Sequence, residues 1–207
     1  MYVREAIKQK LEDLTGVARP SARKVKSRIN RRKTERHRLK DDGLIPNNPK
    51  LPLIVYRNAA RLAGLSDPAA LFEEMFATNG WGDAWRNGIY DFVHYHPRTH
   101  EVLGIARGRA EVRFGGENGK VLRLRRGDVV VLPAGTGHQA LRASDGLVVV
   151  GAYPPSGKYD EFKGSKKEHA RARRMVPKVP LPEKDPVYGD GGAVSRAWRG
   201  THARKKR

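Results

Sequence analysis

The pattern of apolar and polar positions predicts a chain with helices in its first third and strands in its middle. Apolar residues at helical spacing predict a short amphipathic helix over residues 3–15. A second helix is predicted to begin at Ser66-Asp67-Pro68, because a capping side chain followed by proline is typical of a helix start. It would end at Gly80. Its apolar face, holding Leu71, Phe72, Met75 and Phe76, is expected to pack against the outside of the region that comes next in the chain.

From Trp85 to Tyr153 the pattern changes to short runs rich in Val, Leu and Ile, separated by turn residues. Asn118-Gly119 and Asp145-Gly146 are dipeptides that favour tight hairpins. Short strands at such regular spacing predict an antiparallel sandwich or barrel. The predicted fold class is therefore mainly β, with a few peripheral helices.

Charge divides the 207 residues into three parts. The formal net charge is +20, from 42 Lys and Arg against 22 Asp and Glu. Residues 1–40 and residues 163–207 each hold 14 basic and 4 acidic side chains, whereas residues 41–162 hold 14 of each. We therefore predict a domain over residues 41–163, with its motif core at 85–155. A basic N-terminal extension, partly helical or disordered, would precede it over 1–40, and a basic tail with Pro and Gly would follow over 164–207.

Composition and hydropathy exclude several classes of protein. The chain has no cysteine, so any metal site must use His, Asp or Glu. The longest aliphatic runs, residues 129–132 and 147–150, are far shorter than the roughly 20 apolar residues of a membrane span. The start of the chain lacks the apolar core of a signal peptide. We expect a cytoplasmic protein without a membrane partner.

Two histidines in the β-rich region form the strongest chemical signal. His94 and His96 are two residues apart, so on a strand both imidazoles face the same side and can reach one ion at about 2.1 Å. Glu101 and His138 come later in the same region. Strict alternation would turn His100, not Glu101, to the same side, but Pro97 cannot join a strand ladder and can reset the register. His100 is thus an alternative ligand or a residue behind the ligands.

The spacing of these residues resembles the two motifs of the cupin superfamily. The first motif, G-x5-H-x-H-x(3,4)-E-x6-G, matches Gly88, His94, His96, Glu101 and Gly108. The second, G-x5-P-x-G-x2-H-x3-N, matches Gly127, Pro133, Gly135 and His138, with Arg142 in place of the usual Asn. Over about residues 41–198 the chain resembles small bacterial single-domain cupins of the YjlB-like group.

The resemblance implies a single jelly-roll β-barrel that holds one divalent metal ion through His94, His96, Glu101 and His138. Three imidazoles and a carboxylate without sulfur suit Fe, Mn, Ni or Zn and leave open coordination positions. We expect a metal-dependent enzyme, oxygenase- or isomerase-like, that acts on a small polar metabolite. The alternative is a non-catalytic cupin that binds a small molecule or associates with nucleic acid, because cupins serve many functions.

Three further residues are candidates for the substrate pocket. Tyr90 and Phe92 share a face with His94 by alternation, so we expect them to line the core of the barrel and to border a substrate. Arg142 shares a face with His138 and is a candidate for holding a carboxylate or phosphate, since its guanidinium matches such groups. The alternative for Arg142 is a side chain that points into water at the rim.

Nucleic acid and a second copy of the chain are two further candidate partners. The basic ends could neutralise the phosphates of a nucleic acid. This is not favoured, because residues 18–40 contain no aromatic side chains between the basic clusters and no helix-turn-helix is recognisable. A homodimer is plausible because the edges of jelly-roll sheets benefit from being covered.

Overall fold

The computed structural model describes residues 20–203 of the chain. The strands of this part are β1 (Thr34–His37), β2 (Leu53–Tyr56), β3 (Gly82–Asn87), β4 (Glu101–Arg107), β5 (Arg109–Phe114), β6 (Lys120–Arg125), β7 (Val129–Leu132), β8 (His138–Ala143) and β9 (Val148–Tyr153). The helices are α1 (Ala22–Arg28), α2 (Pro68–Thr78), α3 (Lys166–Met175) and α4 (Ala193–Ala203), with a 3-10 turn at Val176–Lys178. The helix predicted over residues 3–15 lies outside the described residues.

The strands form two antiparallel sheets. The larger sheet has the order β1-β2-β7-β4-β9-β3 and the smaller sheet has the order β6-β5-β8. The prediction of a mainly β fold is confirmed. The two sheets face each other as two layers, as in a jelly roll, and they are not joined by hydrogen bonds into one continuous ring.

The hydrophobic pattern explains the different surroundings of the two sheets. In β5 and β6, residues alternate between buried and more exposed positions, as expected for a sheet with one face in water. In β2 and β7 every residue is buried. One apolar layer, which includes Leu103, Val112 and Val130, fills the space between the sheets. The opposite face of the large sheet must therefore be covered by other parts of the chain.

Helix α2 covers part of that opposite face, which confirms the prediction from its sequence. The carboxylate of Asp67 accepts hydrogen bonds from the backbone N–H groups of Ala69 and Ala70, which caps the first turn. Phe72 and Phe76 pack so close to β4 that a Cβ atom at Gly104 would lie 2.9 Å from the Phe72 ring. The missing side chain of this glycine is what allows the helix to lie against the sheet.

The C-terminal segment covers the rest of the face. Trp198, on α4, is 1% exposed, and its Nε1–H donates to the carbonyl oxygen of Pro52 at 2.9 Å. The buried carboxylate of Asp185 accepts hydrogen bonds from the Tyr56 hydroxyl and from the backbone N–H group of Val194. The boundary at residue 163 thus does not separate the domain from a loose tail, because residues 185–198 form part of its core.

The segment before residue 41 also joins the domain in part. Strand β1 pairs with β2 over four residues, from Thr34 with Tyr56 to His37 with Leu53. Val25 of α1 is buried against the same core as α2. These elements of the predicted extension over residues 1–40 are therefore packed against the domain. Their few apolar residues are placed where the large sheet and α2 offer partners.

Replacement of Trp198 tests this extended core. We expect Trp198→Ala to lower the free energy of unfolding by about 3–5 kcal/mol, because it leaves a cavity over the sheet. Trp198→Phe keeps an aromatic ring but removes the hydrogen bond to Pro52 and part of the buried indole, so it should cost less than Trp198→Ala. Urea unfolding followed by circular dichroism measures both. An unchanged midpoint in Trp198→Ala would contradict a packed C-terminal segment.

Candidate metal centre

Backbone pairing brings three of the predicted histidines together. His94 and His96 lie between β3 and β4, and His138 is the first residue of β8. The N–H group of His94 donates to the carbonyl oxygen of His138 at 3.2 Å, and the N–H group of His138 donates to that of His94 at 2.9 Å. Gly135 N–H donates to His96 O at 2.9 Å. The three imidazoles consequently lie side by side and are buried.

Hydrogen bonds to carbonyl oxygens fix the tautomer of each ring. The Nδ1 atom of His94 lies 3.3 Å from the carbonyl oxygen of Phe92, and that of His138 lies 3.3 Å from Thr136 O. The Nδ1 atom of His96 contacts the carbonyl oxygen of Asp160. A carbonyl oxygen can only accept, so each Nδ1 carries the proton and each Nε2 keeps its lone pair.

Glu101 adds a carboxylate to the same point. It is the first residue of β4 and is 2% exposed. Its Oε2 atom lies 3.3 Å from His138 Nε2 and 3.6 Å from His96 Nε2, yet it has no hydrogen-bond partner among the described residues. The Tyr153 hydroxyl lies beside the same carboxyl group and accepts a hydrogen bond from Trp85 Nε1 at 2.9 Å.

Burial sets the protonation of this cluster. It lowers the pKa of His94, His96 and His138, so the three imidazoles are neutral near pH 7 and able to act as ligands. Burial also raises the pKa of Glu101 to about 7, because it disfavours the ionised carboxylate. A cation beside the carboxyl group would remove this penalty, because an opposite charge favours the ionised form.

The donor set fits a divalent cation. The ligand atoms of the three histidines lie within 4.8 Å of one another. Three bare Nε2 lone pairs and the Oε2 atom of an ionised Glu101 face each other in a buried place, which is unfavourable unless a proton or a metal cation lies between them. This part of the chain therefore holds a histidine cluster that is able to bind a metal ion.

A cavity of about 280 Å³ opens from the cluster. Its inner end is formed by the three histidines and Glu101. Its walls include the aromatic side chains of Trp85, Tyr90, Tyr153 and Tyr159. A small metabolite can therefore reach the histidine cluster from solvent.

The structure separates the two aromatic pocket candidates. Tyr90 lines the cavity, whereas Phe92 is not among its lining residues. Both are partly exposed, at 45% and 37%, and their rings stack on each other with centroids 4.8 Å apart. The expectation that they belong to the barrel core is therefore wrong. They form a rim outside the buried imidazoles.

Arg142 lies away from the cavity. Its side chain is 86% exposed, and its Nε atom lies 4.0 Å from Glu111 Oε2. The pairing of β8 with β5 explains the error, because Glu111 pairs with Arg142 while the next residue, Val112, pairs with Ala140. Leu141 is therefore an extra residue that shifts the alternation, and Arg142 turns to the outer face.

His100 is neither a ligand nor a residue of the cavity. It is fully buried, and its Nδ1 atom accepts from the backbone N–H group of Ala134 at 2.9 Å. Its Nε2 atom lies 3.2 Å from the carbonyl oxygen of Pro180, to which it donates. Its ring packs against Trp198, with centroids 4.7 Å apart. His100 thus links the end of the first motif to the C-terminal segment.

Three aromatic residues of the cavity were not predicted from the sequence. Trp85 donates to the Tyr153 hydroxyl, which lies beside Glu101, and the Tyr159 ring lies 5.1 Å from the His96 ring. Trp85 and Tyr153 mark the two ends of the predicted β region, and β3 pairs with β9. An aromatic residue on each of two paired strands was the available signal. Tyr159 lies in a loop, and no pattern in the sequence marked it as a cavity residue.

The fold and the histidine cluster define a cupin domain. Residues 88–150 match the family model described as Cupin domain. The chain is also 38% identical over 167 residues to the uncharacterized protein YjlB of Bacillus subtilis (strain 168), in an alignment that covers 81% of this chain and 98% of that protein. The chain therefore belongs to the YjlB-like family of cupins.

Solved structures are similar in fold only at low TM-scores. A protein with a double-stranded beta-helix domain from Klebsiella pneumoniae is 17% identical, with a TM-score of 0.33 over 68% of this chain and 88% of that chain. The TDP-quinovose 3,4-ketoisomerase WlaRB from Campylobacter jejuni is 16% identical, with a TM-score of 0.36 over 42% of this chain and 73% of that chain. Across residues 20–203, none of the helices has the length and apolarity needed to cross a membrane.

Because His100 is buried, we expect the free energy of unfolding to decrease at acidic pH. Burial lowers the pKa of His100 to about 4, below the unfolded value of about 6.5. Between these values the unfolded chain binds a proton that the native chain does not, so the free energy of unfolding falls as the pH drops through this window. The loss should approach about 3 kcal/mol.

Urea unfolding from pH 4.5 to pH 7 measures this contribution. A His100→Gln variant has no titrating group at this position, so its stability should depend less steeply on pH than that of the wild type. The other buried histidines are common to both proteins and cancel in the comparison. Equal pH slopes would contradict the assignment.

Proposed function

We propose that this protein is a metal-dependent cupin enzyme that acts on a small polar metabolite. In this proposal His94, His96, Glu101 and His138 hold one divalent ion. The observation that carries the proposal is the convergence of bare imidazole nitrogens and an unpartnered buried carboxylate oxygen at the inner end of an open cavity. A purely structural cluster would have paired these acceptors with donors.

The donor set restricts the ion and its chemistry. Neutral imidazoles and a carboxylate suit Fe, Mn, Ni or Zn. Bound here, such an ion would supply Lewis-acid polarisation of an oxygen-bearing substrate or, if iron, activation of oxygen, which corresponds to isomerase-like or oxygenase-like chemistry. The backbone carbonyl oxygens behind each Nδ1 would hold the rings in orientation.

The side chains that line the cavity suit a substrate that is polar, and they do not require the substrate to be charged. Arg86 contributes the guanidinium of the described cavity wall, but it is already bound by Glu73, at 2.8 Å to each carboxylate oxygen, and by Asp67 at 2.8 Å. It is therefore not available to hold a substrate anion. Tyr153 and Tyr159 instead present hydroxyl groups beside aromatic faces, which suit the hydroxyl groups and C–H bonds of a compact metabolite.

Turnover distinguishes the enzyme from a non-catalytic binder. An enzyme should convert a metabolite from a mixed small-molecule library only when the metal is present. A binder should instead raise its melting temperature with a ligand and leave that ligand unchanged. The second result would overturn the enzymatic part of the proposal and leave the metal site intact.

Metal content tests the site itself. We expect untagged wild-type protein to contain close to one equivalent of a divalent metal by mass spectrometry. His96→Ala and His138→Ala should each lose most of it, because each removes one of the four ligands. A chelator should lower the melting temperature of the wild type and have little effect on either variant.

A matched control is His37→Gln, which removes a histidine that pairs with Glu35 on β1, away from the cavity. It should keep the wild-type metal content. Circular dichroism shows whether each variant remains folded. Wild-type protein that binds no metal even after reconstitution would overturn the proposal, as would a folded His138→Ala variant with full metal content.

Tyr153 is proposed as a positioning residue for Glu101. Tyr153→Phe removes the hydroxyl that accepts from Trp85 Nε1 and lies beside the carboxyl group. We expect metal affinity, measured by competition with a chromogenic chelator, to fall by about 10-fold, the usual effect of losing a polar partner behind a ligand. Tyr90→Phe, at the rim, is the control and should leave the affinity unchanged. Equal affinities in wild type and Tyr153→Phe would show that Glu101 needs no such support.

A further inference from the structure

The outer face of the small sheet carries a concentration of arginine. Alternation in β5, β6 and β8 turns one side of each strand to the core and the other side to solvent. The outward side lines a groove of about 910 Å³ that shares no residue with the metal cavity. We call four exposed side chains of this groove the arginine face: Arg109, Arg123, Arg125 and Arg142.

Few carboxylates balance the arginine face. Glu111 lies 3.4 Å from the Nε atom of Arg123 and 4.0 Å from that of Arg142, so one carboxylate serves two guanidiniums. The side chains of Arg109 and Arg125 have no hydrogen bond or ion pair among the described residues. Asp128 also borders the groove, but its side chain is 1% exposed and is held by Arg57 at 3.0 Å.

The arrangement of the face is itself unfavourable for an isolated protein. Arg109 and Arg125 are directly opposite each other in the pairing of β5 with β6. Like charges at such a position destabilise a sheet. Charge on the edge strands β6 and β8 also discourages pairing with other sheets, but Arg109 lies on the central strand β5. An anion bound across the groove would relieve this repulsion.

We propose that the arginine face binds the phosphate backbone of a double-stranded nucleic acid without reading its sequence. Guanidinium groups match phosphates in geometry and charge, and side chains that are 86–89% exposed can reach them. None of the described residues that line the groove is aromatic. Bases of a single strand would find no ring to stack on, whereas a duplex offers dense phosphate and hides its bases.

Fluorescence anisotropy with a labelled DNA duplex of about 20 base pairs tests the proposal on the full chain. We expect binding that weakens steeply with salt. The variant R109Q/R125Q/R142Q should bind at least about 10-fold more weakly at roughly 100 mM salt. The slope of log affinity against log salt should shrink by roughly 2 to 3, close to one for each phosphate that is no longer neutralised.

The control variant K166Q/K167Q/R174Q removes the same number of charges from exposed positions on α3. It should bind the duplex within about twofold of the wild type. An equal loss in both variants would overturn the proposal, because binding would then follow net charge alone. Tighter binding of a single strand of the same length, or equal binding of polyglutamate, would also overturn it. The metal content of both variants should stay at the wild-type level.

Discussion

Burial of both faces of the large sheet is the constraint on which the rest of the structure depends. Strands β2 and β7 are buried at every position and mostly apolar, so neither face can be left in water. The small sheet covers one face, and α2 and the C-terminal segment cover the other. The hydrogen bonds of Asp185 and Trp198 attach that segment to β2 and to the residue before it. The described parts of the two basic ends, residues 20–40 and 163–203, therefore help to cover the apolar surface that the neutral middle leaves open.

The candidate metal site depends on the same two-layer arrangement. Glu101 begins a strand of the large sheet, whereas His138 begins a strand of the small sheet. The segment that holds His94 and His96 pairs with the start of β8 through His94 and His138. It therefore brings its imidazoles beside a strand of the small sheet. Carbonyl oxygens then hold each Nδ1 proton, and the lone pairs of Nε2 are left facing one another. The backbone thus sets ring orientation before any ion binds.

Local rules in the sequence predicted a large part of this picture. The capping residues and the apolar face predicted α2. The resemblance to the cupin motifs implied that His94, His96 and His138 lie together, and the structure does place them together. Arg142 was misplaced because an extra residue, Leu141, interrupts the alternation, and no side-chain pattern announces it. The structural role of His100 depends on hydrogen-bond partners that lie 34 and 80 residues away in the sequence, and no local pattern indicates such partners.

The distribution of charge also shows that the net charge of a sequence segment does not predict the charge of its surface. Residues 41–162 are neutral by composition, which suggested that basicity belongs to the ends alone. Strand alternation sorts these charges in space, however. Acidic side chains such as Glu73 and Asp128 are committed to buried or half-buried ion pairs, while Arg109 and Arg125 remain exposed. A neutral segment can therefore present a basic face. The surface of this domain has to be understood from its sheet register and not from its net charge.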